Sequence, residues 1–458
     1  MNSTITPHLH RQFKRSFQWT LLGSIIYETL KILHCFILKE CMSESIFGAM
    51  GSVFSLIYLT TYIADFGATN SIPPFLSLCT KSRKTFAQFF INYSLVPHLP
   101  LVIIGAIAAM MVAATKFPLT PYLVIIPLLI IMETVRSFLR LLLHTTFQAK
   151  RAVSTELVIF FLYLAAIWLP YCTGMMPLSL NHIFAIHLID STATVGIFIW
   201  LTIKFYRSLP QTESSSLPSG LSKRLIATKL FNYMLRVSRN MFSSNFLTPL
   251  FATKYGLVAA GMFYFASMLA NTIQAIVKSV IGYSGNALLA NLKDSPQHTK
   301  KEAFSMLFGR FMYVVAPIII IVILNLNNII RLSSSHSQPG ETIAILLLFL
   351  LISFTEFFFI LYEQFYIIEE AAHKLFFTKV LELLFFYLLI TSPLSISPIT
   401  TLVGLIIIRV ISFSIIACNA YYWWKIRPHF TIGPRYLIAC IAAALALAMI
   451  GNYYLWIF

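Results

Sequence analysis

Apolar stretches of membrane-crossing length follow one another almost without a break along this chain, and the short gaps between them alternate between basic and nearly uncharged. A helix needs roughly 20 apolar residues to cover about 30 Å of hydrocarbon. Thirteen stretches qualify, near 17–38, 46–66, 86–115, 121–147, 153–173, 182–206, 225–249, 256–284, 304–330, 341–368, 375–393, 399–424 and 434–457. With the N-terminus in the cytoplasm, the segments on that side hold twenty of the 33 Lys and Arg residues, and the opposite segments hold four, Lys39, Lys116, Lys254 and Arg331. That split obeys the positive-inside rule at every loop. It fits an N-terminus on the cytoplasmic side of the membrane. The net charge of +17 is then a topology signal and a contact with anionic lipid heads. Nucleic acid is not an expected partner, because no basic surface domain exists to hold it.

Thirteen spans in 458 residues leave no room for a soluble domain, and the longest polar stretch is 208–224. The first apolar run contains Glu28 and Lys31 and lacks a small-residue cleavage site, so it reads as a span and not as a cleaved leader. The six cysteines sit singly in mostly apolar surroundings, which fits free thiols. His182 and His187 are five residues apart, on different helix faces, and no histidine pair has the spacing of a metal site. Gly282 and Gly285 follow no strand and so form no phosphate loop. No cofactor, metal or catalytic residue is expected. A membrane enzyme of polysaccharide assembly would want paired acids in a sizeable outside loop, and the outside loops here are short.

The segment 208–224 divides the chain into related halves. The stretches 47–67 and 260–280 each begin at a glycine just after a short outside loop, Gly48 and Gly261, 213 residues apart. The expected fold is all-α integral membrane, with about 12–13 transmembrane helices in two six-helix lobes related by a parallel repeat. The lobes are 1–207 and 225–425, with a cytoplasmic linker at 208–224 and an extra hydrophobic segment at 426–458.

Ionisable groups at mid-membrane cost a few kcal/mol or more unless paired or hydrated. This chain keeps Arg236 and Arg239 in its seventh span, Glu133, Arg136 and Arg140 in its fourth, and Glu28 and Lys31 in its first. In the eighth span Ser267, Asn271, Gln274 and Lys278 form a continuous polar stripe, and in the second Ser55, Tyr58, Tyr62 and Asp65 form another. Such stripes face water or a protein partner, not lipid tails. Plainer readings stand beside these. Glu133 and Arg136 also suit an intrahelical pair, Arg140 can snorkel, Lys229 and Arg310 can anchor at the inner boundary, and Asp190 and Arg409 stand without an evident partner.

A basic N-terminus leading into an amphipathic first span, "FGAM" opening the second, "YIADFGATNSIPPFL" at 62–76 and "KYGLVAAGMFYFASML" at 254–269 together resemble the multidrug/oligosaccharidyl-lipid/polysaccharide exporter superfamily. The likeness is to its branch of O-antigen and polysaccharide flippases and covers residues 10–425. It implies that the first, second, seventh and eighth spans line a vestibule between the lobes. The expected substrate contacts are Arg236, Arg239, Lys278, Lys31, Asn271, Gln274 and Arg140, and the candidates for ion coupling are Glu28, Asp65 and Glu133. The implied cargo is a polyprenyl-pyrophosphate-linked oligosaccharide, flipped by alternating access, with membrane lipids and a polysaccharide polymerase or other assembly proteins as partners. A drug or cation antiporter of the same fold is the alternative, and it would want an acidic vestibule.

Overall fold

The computed structural model describes residues 7–65, 75, 80–90, 99–116, 125–175, 178–211, 221–278, 285–292, 295–324, 339–391 and 398–424, and no strand occurs among them. The expected thirteenth span at 434–457 and most of the linker at 208–224 lie outside the described residues. The first half contains α1 (Pro7–Cys41), α2 (Glu44–Ala64), the short α3 (Arg83–Phe89), α4 (Leu99–Lys116), α5 (Ile125–Thr145), α6 (Ala149–Cys172) and α7 (Leu180–Ser208). The second contains α8 (Leu221–Met241), α9 (Ser244–Tyr255), α10 (Leu257–Lys278), the short α11 (Asn286–Asn291), α12 (Gln297–Leu324), α13 (Pro339–Ile368), a 3-10 turn at Ala372–Leu375, α14 (Phe376–Thr391) and α15 (Pro398–Trp424). Among the described residues each half has six long helices, counting α8 with α9.

Helix starts follow local chemistry. Ser43 and Ser179 cap α2 and α7 by accepting the N–H of Ile46 and His182, and Ser82 and Thr85 form a reciprocal capping box at α3. Five described helices, within α1, α2, α6, α7 and α15, are long and apolar enough to cross a membrane by themselves. Helix α5 matches α2 in length, but Glu133, Arg136 and Arg140 interrupt its apolar run. It is tolerable in hydrocarbon only as an inner helix with its charges turned toward protein.

The two halves repeat one turn closely. Between α5 and α6 the chain passes through Phe147 with φ 57, and between α13 and α14 through Glu370 with φ 52. In each, the residue after the left-handed one donates its N–H back across the helix end, Gln148 to the Leu143 carbonyl at 2.9 Å and Ala371 to the Tyr366 carbonyl at 2.8 Å. The offset from Phe147 to Glu370 is 223 residues, ten more than between Gly48 and Gly261. The repeat is therefore real, but its register changes between the second and the fourth span of each lobe.

Within the first lobe α5 packs on α7, and α6 on α1 and α7; within the second, α10 packs on α13, and α15 on α13 and α14. The lobes meet through α1 and α2 against α10, and α2 against α8 and α9. At that seam the two repeat glycines face each other. A Cβ on Gly48 would fall 2.0 Å from the Leu257 carbonyl oxygen, and one on Gly261 would fall 2.9 Å from the Glu44 carbonyl oxygen. Only glycine allows two backbones this close.

Candidate functional site

The first span of the second lobe is broken. Helix α8 stops at Met241 and α9 starts at Ser244, with Ser243 extended between them. The Ser243 hydroxyl donates to the Asn240 carbonyl at 2.6 Å, drawing off an acceptor from the helical ladder. Asn271 of α10 donates its side-chain amide to the Ser244 hydroxyl, which ties the predicted polar stripe of α10 to the break. Half-helices that end inside a membrane protein present backbone dipoles and unpaired polar groups to whatever lies beside them.

Helix α8 carries Lys223, Arg224, Lys229, Arg236 and Arg239 and no acid. Lys229 is buried, and its charge interacts with Asp65 at the end of α2, across the seam between lobes. The side chains of Arg236, Arg239, Gln274 and Lys278 lie outside the described residues. The backbone still orders them. Arg236 follows Lys229 by two turns, so its Cα sits on the same α8 face as the lysine that meets α2. Lys31 on α1 keeps a side chain 40% exposed and lies 3.6 Å from the Glu28 carboxylate.

Other expected site residues point into the lobes instead. In the first lobe the Arg136 guanidinium donates to Asp190 of α7 at 3.0 Å and to Glu133 at 3.2 Å, and lies 3.8 Å from Glu156 of α6. Arg140 pairs with Glu156, one turn further along, so it is not grouped with the α8 and α10 residues. The Ser191 hydroxyl donates to Glu133, and His187 Nε2 sits 3.7 Å from the same carboxylate. Asp190 thus has a strong partner where the sequence offered none. Arg136 serves as partner to both helices, so the intrahelical pair with Glu133 is only part of its role.

The second lobe has a matching cluster that sequence reading missed. Glu382 of α14 accepts from Lys379 at 2.8 Å, from Arg409 of α15 at 2.6 Å, from Ser412 at 3.1 Å and from Ser238 of α8 at 2.9 Å. Lys379 also reaches Glu363 of α13 at 2.9 Å. The Arg409 guanidinium is sandwiched by Phe359 at 4.0 Å and Phe242, inside the helix break, at 4.9 Å. Arg409, which has no evident partner in the sequence, and Lys379 are both fully buried. The missed signal was Glu382, three residues after Lys379 in an otherwise apolar helix. Among the described residues no cluster of His, Cys, Asp and Glu is arranged to hold a metal.

No family model and no curated protein matches this chain in sequence. Its architecture does match solved structures. An outward-facing multidrug resistance MATE family transporter of the MOP superfamily superposes with TM-score 0.64 at 13% identity, over 91% of this chain and 95% of that one. The chain has the MATE transporter fold. A MATE protein in complex with MaD5 superposes with TM-score 0.59 at 14% identity, over 93% of this chain and 98% of that one. A MOP superfamily transporter from Pyrococcus furiosus, described as having a binding pocket of reversed polarity that suggests a different function, gives 0.58 at 13%, over 91% and 95%. The all-α, two-lobed membrane architecture expected from the sequence is the one found.

Proposed function

We propose that this protein is a flippase for a lipid-linked oligosaccharide, working by alternating access through the crevice between its lobes. The observation that carries the reading is a separation of charge. Helix α8, beside the crevice, has five cations and no acid, while Glu133, Glu156, Asp190, Glu363 and Glu382 are each tied to a buried or half-buried cation inside a lobe. A crevice of that polarity draws a pyrophosphate or an acidic sugar, since guanidinium and ammonium groups bind anionic oxygens strongly once water is excluded. The polyprenyl tail would stay in the bilayer at the seam. Asn271 and the α8–α9 break supply the polar contacts a sugar hydroxyl needs. A polymerase or other assembly protein of the same membrane is the expected physiological neighbour.

The antiporter reading draws support from the fold, since the matched structures are MATE proteins. The acids it could use as an attractor already have cationic partners: Asp65 at the seam interacts with Lys229, and Glu28 lies 3.6 Å from Lys31. Ion coupling fits the first lobe better than the second. Glu133, Glu156 and Asp190 face Arg136 and Arg140, one negative charge in excess, with His187 beside Glu133. In the second lobe Glu363 and Glu382 are balanced by Lys379 and Arg409.

The test is flipping in proteoliposomes of a fluorescent polyprenyl-pyrophosphate sugar by the wild type and by Arg236→Glu and Arg239→Glu. Reversing either charge should abolish flipping while membrane insertion and thermal stability hold. Normal flipping in both variants would remove the crevice assignment. Efflux of a cationic dye in place of lipid flipping would establish the antiporter.

A further inference from the structure

One corner of the first lobe carries a surplus of positive charge that no acid balances. Helices α1 and α6 run side by side in parallel: Lys150 lies over the Trp19 ring at 5.1 Å, Gly23 abuts Val153, Tyr27 meets Phe160 at 4.4 Å, and His34 meets Tyr163 at 5.5 Å. That register puts Lys14 and Arg15 of α1 about one turn beyond the start of α6, beside Lys150 and Arg151 in its first turn. All four are exposed. None forms an ion pair among the described residues; Arg151 only donates to the neutral Gln148 side chain at 3.2 Å. The nearest acid on α6, Glu156, is engaged by Arg140, and α1 has none before Glu28.

Placement adds to the imbalance. The first turn of α6 has no acid, and its N-cap Gln148 makes no side-chain cap bond. Cations at a helix N-terminus oppose the helix dipole, so this arrangement is unfavourable unless an anion sits among them. Trp19 marks the depth, because tryptophan favours the headgroup layer.

The internal repeat supplies a control within the same molecule. At the 223-residue offset, Lys150 and Arg151 correspond to His373 and Lys374, and Thr146 and Phe147 to Glu369 and Glu370. In the second lobe Glu369 pairs with Lys300 at 2.8 Å, and Lys374 lies over the Trp423 ring at 4.0 Å. The second-lobe corner holds an acid paired with one of its cations, and the first-lobe corner holds none. We infer that the α1–α6 corner binds the phosphate headgroups of anionic phospholipids, with Lys14, Arg15, Lys150 and Arg151 as its contacts and Trp19 as its interfacial anchor. The same stretch of α1 also reaches the other lobe: Arg310 of α12 lies 4.7 Å from the Phe13 ring and 5.6 Å from that of Phe17. A lipid held there fixes the helix that bridges the lobes, and so acts on their motion without entering the crevice.

Native mass spectrometry of the full chain, exchanged into phosphatidylglycerol or phosphatidylcholine, tests this independently of any transport assay. Replacing Lys14, Arg15, Lys150 and Arg151 by Gln together should lower retained phosphatidylglycerol about tenfold or more. Phosphatidylcholine retention should not change, and Lys300→Gln with Lys374→Gln in the second lobe should leave both lipids unaffected. Unchanged phosphatidylglycerol retention in the first set, or an equal loss in the second, would overturn the site. Should the first set fold poorly, the wild type decides alone, since retention that does not fall from low to high salt is incompatible with a headgroup site. Displacement of phosphatidylglycerol by a short polyprenyl phosphate well below the phospholipid concentration would reassign the corner to the carrier lipid and overturn the phospholipid assignment.

Discussion

At the scale of single residues, the sharpest consequences lie with charges that have lost contact with water. Removing one partner of a buried pair leaves the other uncompensated, which costs about 3–5 kcal/mol. Glu382→Ala removes the carboxylate that Lys379 and Arg409 share, leaving Lys379 to Glu363 alone. It should lower the yield of folded protein in detergent and the apparent melting temperature more than any single change at the crevice. Lys31→Gln removes the half-exposed partner of the buried Glu28 and should lower the melting temperature less than Glu382→Ala does. Comparing the two by thermal shift checks both. Much of this was hidden in the sequence. Glu133 and Arg136 were recognisable as partners because they are one turn apart on a helix. Asp190 lies on α7 and Arg409 on α15, each reaching a partner on another helix, and no spacing rule links side chains across helices.

Among elements, the α2–α10 crossing and the break in the seventh span define how the lobes can move. Gly48 and Gly261 caught the eye as markers of a repeat; that they touch each other followed only from the structure. Leucine at either position would drive a side chain into an opposing backbone. Gly48→Leu should therefore hold the lobes apart at that end while each stays folded. Cysteines placed on α2 and α10 beside the crossing should then react with a membrane-impermeant maleimide faster than in the wild type; an unchanged rate would show that the helices slide past the obstruction. Hydropathy located these helices readily, since span length is set by bilayer thickness. It ran straight through the α8–α9 break, because Phe242 keeps the stretch apolar and two serines are a weak signal against thirteen long runs.

For the whole molecule, duplication explains why charges recur where they do. Under the 223-residue offset Arg140 corresponds to Glu363, and Glu156 to Lys379, so the same bridge exists in both lobes with its signs exchanged. A bridge that works in either polarity should tolerate exchange. Arg140→Glu or Glu156→Lys alone should cut the folded protein in membranes severalfold, and the double variant should restore most of it. Failure of the double variant would mean that Arg136 and Asp190 fix the sign locally. The sequence-level offset of 213 held for the second and eighth spans, but ten residues gained before α13 hid this correspondence.

The Glu382 carboxylate is grasped from α14, α15 and α8, and its lysine partner holds α13 as well. A tilt by any one of these four helices would tear a knot that nothing in hydrocarbon can mend. The later half should consequently travel like a single block, with spin labels on α8 and α15 keeping one fixed spacing throughout the cycle while labels spanning α2 and α8 report two.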